Sequence, residues 1–378
     1  MSERQRVRFL VIGGFLGAGK TTALLRLAAH YQSRGLNVGL ITNDQAPNLV
    51  DTGSLRASGF RVEEVAGACF CCKFDDLVGR AEKLGALAPA ERPDVLIGEP
   101  VGSCTDLAAT VVQPLRRLYG ERWSIAPYAV LVDPTRARQI VLERGFGGFS
   151  QKVAYIFQKQ LEEADLIGLN KVDLLTPAQR DTLLAALRRE FPKATVVPLS
   201  GLTGAGFPEF CAELERDMAA GRNIAAVDYD VYAEGEAELG WLNLTLDLEA
   251  ATPLAGETLV RELLVALTSE VAGRGEVAHA KILFQPDGTA AESAAVANHV
   301  GGGSPVAISR GSAAAARSGR LVINARVHLA PEELRAAADR ALAATLPRHG
   351  ATARVAASAQ FRPGRPVPIH RVAPSEAS

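Results

Sequence analysis

The sequence predicts an α/β protein: a P-loop nucleotide-binding domain on a mostly parallel sheet, followed by a smaller α+β domain of ferredoxin-like order. Three observations carry this. Residues 14–22 read GFLGAGKTT, which fits G-x-x-x-x-G-K-[ST] with Gly14, Gly19, Lys20 and Thr21 at the defining positions. Over the first two-thirds of the chain, short apolar runs alternate with amphipathic helical patterns. Beyond residue 228 the pattern changes to period two, with Leu242, Leu244, Leu246 and Leu248 alternating with Trp241, Asn243, Thr245 and Asp247.

In the first part, strands are expected at 8–12, 38–42, 61–65, 95–98, 128–132, 166–170 and 195–198, most of them short apolar runs. Helices are expected between them at 20–33 (closed by Gly35), 76–87, 106–118, 152–164 and 177–191, with a last one near 207–218. Such alternation implies a sheet covered by helices, with ligands at the carboxyl ends of its strands. Residues 221–227 read as a linker, dividing the chain into domains 1–222 and 228–378, and a length of 378 residues calls for two. The second part should form a strand over 241–248, a helix over 258–271 and strands near 277–284, 305–309 and 319–328. A helix over 331–346 and a closing strand over 355–361 complete it, while 287–304 is too rich in Gly, Ala and Ser to assign.

The motifs carry chemistry. Gly14, Gly17 and Gly19 let the backbone wrap close to phosphates, Ala18 and Thr22 complete the cradle, and N–H groups at the helix start point at the anion. Lys20 would reach the outer phosphates and the Thr21 hydroxyl would bind Mg²⁺. Glu99, in Glu99-Pro-Val-Gly102 after an apolar strand, stands where P-loop enzymes place a carboxylate on Mg²⁺ or its water. Gly102 would offer its N–H to the terminal phosphate. Asp44, after the second strand, is a second carboxylate candidate for Mg²⁺ or water positioning, although Asn-Asp is also ordinary turn chemistry. The string NKVD places Asp173 to accept from guanine N1–H and the exocyclic amine, with Asn170 bracing the loop and Lys171 packing on the base. Ser200 and Gly201, after the next strand, would finish the base pocket. The nucleotide is then GTP.

Cys69, Cys71 and Cys72 lie within four residues, and a turn would gather their thiols on one soft ion, Zn²⁺ or Cu(I). A redox pair and inert buried cysteines are the alternatives. Three sulfurs leave a fourth position for water, a side chain or a receiving protein. Cys104 follows the Glu99 loop and could come near the same site, but reads rather as a small, half-buried thiol without a role, and Cys211 as core. The histidines are scattered, His279 and His328 reading as structural, and 361–371 reads as an extended tail, on the surface rather than over a groove.

Composition narrows the partners. A formal net charge of −1 without a Lys/Arg cluster argues against nucleic acid, and no run of eighteen apolar residues suggests a membrane span. Arg4, Arg6 and Arg8 before an apolar run imitate a signal peptide, but the run is needed as the first strand of the nucleotide fold. Five cysteines, three of them within four residues, do not make a secreted disulfide framework, so a reducing cytoplasm is expected.

With GGFLGAGKTT, GACFCC, EPVG and NKVD in this order, the chain resembles the CobW/HypB/UreG family of GTPases, most of all its CobW branch. VAHAKILF and LVINARVHL extend the resemblance into the second domain. The resemblance implies a slow GTPase that couples γ-phosphate loss to delivery of a transition metal, zinc first and cobalt second, to a metal-requiring client or cofactor pathway. It assigns phosphate and Mg²⁺ to the P-loop, the Mg²⁺/γ-phosphate loop to Glu99, guanine to Asn170, Lys171 and Asp173, and the metal to Cys69, Cys71 and Cys72. Two departures stand out: Asn43-Asp44-Gln45-Ala46 replaces the family's Asn-Glu-Phe-Gly, and a His-rich stretch is absent. Residues 44–58 are the candidate first switch. With no evident arginine finger or water-orienting glutamine, turnover is expected to need a homodimer partner or the client. The rival expectations are a nucleotide-regulated binding module in which hydrolysis is incidental, and a P-loop kinase, against which NKVD and the lack of an acceptor lid weigh.

Overall fold

The computed structural model describes residues 6–44, 55, 60–143, 145, 148–290, 293–312 and 314–376. Eight strands make the first sheet: β1 (Val7–Gly14), β2 (Val38–Asp44), β3 (Arg61–Ala66), β4 (Val95–Glu99), β5 (Trp123–Ile125), β6 (Ala129–Val132), β7 (Leu166–Leu169) and β8 (Thr195–Pro198). The order is β3-β2-β4-β1-β6-β7-β8, with β5 beside the start of β1, and every pairing is parallel. Strands covered on both faces must be apolar throughout rather than alternating, which is why FLVI, VLI and AVLV are runs. The pleat then divides them: Phe9 and Val11 join Phe70 and Phe74 in one core, whereas Leu10 and Ile12 join Leu24 and Leu27 in the other. Because all strands point the same way, the segments after β1, β4, β7 and β8 emerge along one edge.

The second unit contains β9 (Gly240–Ala255), β10 (Val277–Pro286), β11 (Ala295–His299), β12 (Ala307–Arg310), β13 (Ala315–Val327) and β14 (Ala351–Phe361). They form an antiparallel sheet in the order β12-β11-β10-β13-β9-β14. Helices Gly256–Val271 and Pro331–Thr345 follow β9 and β13. Their leucines pack with Leu242, Leu244, Leu246 and Leu248. The inner order β14-β9-β13-β10 is the ferredoxin-like one, and β11 and β12 extend its edge from the stretch too small-residue-rich to assign. The sheet's other face, with Trp241, Asn324 and Arg326, turns toward the strand-end edge of the first sheet. Arg136, on helix Pro134–Val141, fixes this approach by donating to the carbonyls of Val277 (3.1 Å) and Val300 (2.8 Å).

Three segments differ from expectation. Residues 221–227 are not a free linker: the Asp165 carboxylate accepts from the N–H groups of Gly221 (2.6 Å), Arg222 (3.1 Å) and Tyr128 (2.9 Å). Helix Tyr229–Ala237, which the acidic YDVYAEGEA string hides, packs back on helix Gln151–Glu162. Gly235 is the reason it fits, since a Cβ there would lie 2.6 Å from the Lys152 carbonyl oxygen. The helix expected over 106–118 opens as a π turn, Ala108–Val112, before Gln113–Tyr119. Pro114 has no N–H for a regular i−4 bond, and the wider turn accommodates that.

Asp165 offers a stability test. Asp165→Ala would orphan three amide donors, two of them buried, at about 1–3 kcal/mol each for the buried ones. A loss of roughly 3–5 kcal/mol in chemical denaturation is expected, while a loss under about 1 kcal/mol would show that the 221–227 segment is not anchored there.

Candidate functional site

The P-loop runs from β1 into helix Lys20–Ser33, with Gly14, Gly17 and Gly19 all at positive φ. Lys20 Nζ donates to the carbonyls of Gly14 (2.9 Å) and Phe15 (3.3 Å), which holds the ammonium inside the loop. Thr21 Oγ1 donates to Glu99 Oε1 at 3.1 Å, so a hydroxyl and a carboxylate meet at the end of β4. These are hard oxygen donors of the kind Mg²⁺ takes. Gly102 lies over the loop so closely that a Cβ would sit 3.0 Å from both Lys20 Nζ and Leu16 N. A cavity of ≈ 160 Å³ is lined by Lys20, Thr21, Thr42, Asn43, Glu99 and Gly102. The second sheet closes it with His279, Lys281, Asn324 and Arg326, so His279 lines the site rather than serving only as core. Sequence reasoning missed this cationic roof, because it depends on how two separate sheets meet.

Asn170 is buried and joins two loops: its Nδ2 donates to the Ala18 carbonyl (2.8 Å) and its Oδ1 accepts from Gly201 N (2.9 Å). Ser200 is buried and its hydroxyl accepts from Thr203 N at 3.0 Å. Lys171 takes φ 57 and pairs with Asp133 at 2.7 Å. Asp173 is exposed on the turn Val172–Leu174. It borders a second cavity, of ≈ 660 Å³, shared with Gly19, Thr22, Asn170, Lys171 and Gly201. Asp44 ends β2, its side chain and the rest of the candidate first switch, 45–54 and 56–58, lying outside the described residues.

Asn43, which lines the smaller cavity, also meets the turn that carries the thiol cluster. Cys69 O accepts from the N–H groups of Cys72 and Lys73, both at 3.0 Å, and this turn gathers three sulfurs. Cys69 Sγ lies 2.8 Å from Cys71 Sγ and 3.2 Å from Cys72 Sγ, and the last pair is 3.7 Å apart. Asn43, at the end of β2, holds the turn from below by accepting from Phe70 N (2.8 Å) and donating to the Val65 (3.0 Å) and Ala68 (2.7 Å) carbonyls. Hydrogen bonds from Cys104, Cys71 and Cys72 pull Cys69 far below the usual thiol range. The same contact with Cys69 pushes Cys71 up and Cys72 up to about 11, while burial raises Cys104. Cys104 is fully buried rather than half-buried, in the same core as Cys69 and Cys71. Cys211 is core.

The C-terminal stretch, read as a surface tail, crosses this cluster. Val367 N donates to Cys72 Sγ (3.2 Å), Ile369 N to the Cys71 carbonyl (3.0 Å) and Val372 N to the Ala109 carbonyl (3.0 Å). Arg371 Nε binds the Asp106 carboxylate at 2.7 Å, where Tyr229 Oη also donates at 2.7 Å.

A parallel sheet with this strand-end loop defines a P-loop nucleotide-binding protein, and the three cysteines form a group that could hold a soft metal ion. The model of the CobW/HypB/UreG nucleotide-binding domain matches residues 8–198, and the chain belongs to that family. It is 29% identical over 176 residues to the zinc chaperone YeiR of Escherichia coli, covering 46% of this chain and 49% of that one. It is 29% identical over 192 residues to the zinc chaperone CobW of a Sinorhizobium species, covering 46% and 53%. The chain thus spans about half the length of the curated relatives it matches. Among solved structures, HypB from Archaeoglobus fulgidus shares 20% identity with a TM-score of 0.39, covering 55% of this chain and 87% of that one. Zn(II)-bound YjiA GTPase from E. coli shares 18% identity with a TM-score of 0.36, covering 88% and 98%. Among the described residues no helix is long and apolar enough to cross a membrane.

Proposed function

We propose that this chain is a cytoplasmic, GTP-hydrolysing metallochaperone that couples its nucleotide state to binding Zn²⁺, or Co²⁺, and passing the ion to a client. One observation carries the reading: the thiol cluster lies between two segments that also line the phosphate cavity. Asn43 grips the cysteine turn from the end of β2, and the strand-end loop that begins at Glu99 and Gly102 runs on to Cys104, which is buried in the same core as Cys69 and Cys71. A change at the γ-phosphate would move either segment and with it the sulfurs. The names of two relatives, both zinc chaperones, support the choice of ion.

In this reading Gly14, Gly17, Ala18, Gly19, Lys20 and Thr22 cradle the phosphates, and Lys20 neutralises charge in transfer to water. Thr21 and Glu99 would hold Mg²⁺, which would supply Lewis-acid stabilisation of the phosphate charge. Gly102 offers its amide, Asp44 positions water or metal, and Asn170, Lys171, Asp173, Ser200 and Gly201 select guanine. Residues 1–222 bind and hydrolyse the nucleotide and 228–378 face the client, helix Tyr229–Ala237 docking back on the first part. Lys281 and Arg326 place positive charge over the phosphate cavity, and a homodimer partner or the client completes turnover.

The test is a titration of Zn²⁺ and Co²⁺ into reduced protein against a competing chelator, with GTP analogue, GDP or no nucleotide. A Cys69/Cys71/Cys72→Ser variant should lose about 10²-fold or more in affinity, since thiolate is the favoured donor for these ions. Wild-type affinity should differ between the two nucleotides. Thiol-dependent affinity that ignores nucleotide would remove the coupling, and absence of binding would remove the chaperone.

A further inference from the structure

Neither of the two cavities described above is lined by a cysteine. Cys69 and Cys71 are 7% and 2% exposed, and Cys72 is the half-buried sulfur of the three. An ion from solvent therefore meets the cluster on the Cys72 side, and residues 367–371 cross that side. We propose that this stretch is a strap over the metal centre, so that the ion enters and leaves only when the strap lifts. The inference rests on the metal-handling reading above and adds a gate to it.

The strap is pinned at both ends and held lightly between them. From 362 to 373 the chain forms no helix or strand of its own. Pro366 and Val372 are buried, and Val372 N donates to the Ala109 carbonyl at 3.0 Å. Between these anchors Val367 and Ile369 share one side of an extended segment and turn outward, 70% and 47% exposed. Their N–H groups face the other way, onto Cys72 Sγ (3.2 Å) and the Cys71 carbonyl (3.0 Å). A hydrogen bond to a sulfur does not prevent it from ligating an ion, so the closed strap is compatible with a loaded site.

Three contacts hold the middle of the strap down besides these two bonds and their anchors. His370 stacks edge-on against Phe74, 4.9 Å between centroids. Arg371 Nε donates to the buried Asp106 carboxylate at 2.7 Å, and that carboxylate also accepts from Tyr229 Oη at 2.7 Å. Asp106 thus keeps one partner when Arg371 lets go. Lifting residues 367–371 breaks a few hydrogen bonds that water replaces and strips little apolar surface from the core, so it is a local opening and not an unfolding. Pro366 and Pro368 fix φ at two positions, which limits where the lifted strap can wander and favours its return.

The test measures Zn²⁺ loading and Zn²⁺ removal separately, by stopped flow with a chromophoric chelator and GDP present throughout. Full-length wild type is compared with Ile369→Pro, which deletes the N–H on the Cys71 carbonyl, and with Arg371→Ala, which cuts the pair with Asp106. Both rates should rise about tenfold or more in each variant, and Arg371→Lys should stay closer to wild type. Affinity should change much less than either rate, because a gate lowers the barrier in both directions. Unchanged rates overturn the inference. Faster removal alone, matched by an equal fall in affinity, also overturns it, since the tail would then be part of the binding site and not a gate. Absence of Zn²⁺ binding by wild type overturns the metal reading instead. The metal-free protein still reports on the strap in that case: labelling of Cys72 by a thiol reagent, located by mass spectrometry, should quicken in both variants, and equal labelling removes the strap. Should Ile369→Pro misfold, Arg371→Ala carries the test alone, its side chain lying at the surface.

Discussion

Asp173→Asn should exchange the preferred base, weakening GTP at least about 10²-fold and making xanthosine triphosphate the better ligand. Guanine offers two donors, N1–H and the exocyclic amine, and a carboxylate accepts both. Asn turns one acceptor into an NH₂ donor, which opposes the guanine amine, whereas xanthine carries a carbonyl at that position and accepts from it. Each charge-assisted hydrogen bond is worth about 1.5–3 kcal/mol, and a site built on such bonds rejects the wrong base by orders of magnitude. The turn itself should survive, because its bonds are backbone ones, Val172 N to the Leu199 carbonyl (3.2 Å) and Leu174 N to the Lys171 carbonyl (3.0 Å), and Asp173 is exposed. Competition binding with GTP, xanthosine triphosphate and ATP measures the effect. Unchanged GTP affinity would mean that Asp173 does not read the base.

The glycine loop and the NKVD turn were legible because their sequence patterns are local. A parallel strand buried on both faces must be an apolar run, and a phosphate cradle must follow it within a few residues, so β1, the P-loop and helix Lys20–Ser33 stand out in one stretch of chain. Asn170 was legible as a brace, and it links Ala18 to Gly201. Less visible were contacts made across long separations. Val367 meets Cys72 from 295 residues away, and no periodicity or motif encodes that. Arg371 reaches Asp106, which sits at φ 64, from 265 residues away, and no local pattern announces that pairing. Helix Tyr229–Ala237 was hidden for a related reason. Its buried face consists of Tyr232, Gly235 and Glu236, and a glycine and a glutamate do not read as an apolar stripe.

That hidden face supplies the last large effect. In the metal-free chain, Glu236→Gln should remove a pH dependence of stability that the wild type carries between about pH 4 and pH 8. Burial pushes the Glu236 carboxyl up to about 8, with the negative charge of Cys69 adding to it. An unfolded glutamate titrates near about 4.3. The folded chain therefore holds a proton that the unfolded chain has released across this window. Stability from the neutral carboxyl is fully present below the unfolded value and is lost as pH rises through the folded one, at up to about 1.4 kcal/mol per pH unit. Gln keeps a neutral, hydrogen-bonding side chain of nearly the same shape and has nothing to titrate. The variant should match wild type near pH 4.5 and exceed it by a few kcal/mol, about 5 at most, at pH 8 and above. Denaturation of both chains at pH 5, 6.5 and 8 separates this from a packing effect, which would shift the variant equally at every pH. Parallel pH profiles would show that Glu236 is already ionised in the fold, with a compensating cation or water beside it. A divergence that opens with pH would place a neutral carboxylic acid beside the cysteine cluster at physiological pH.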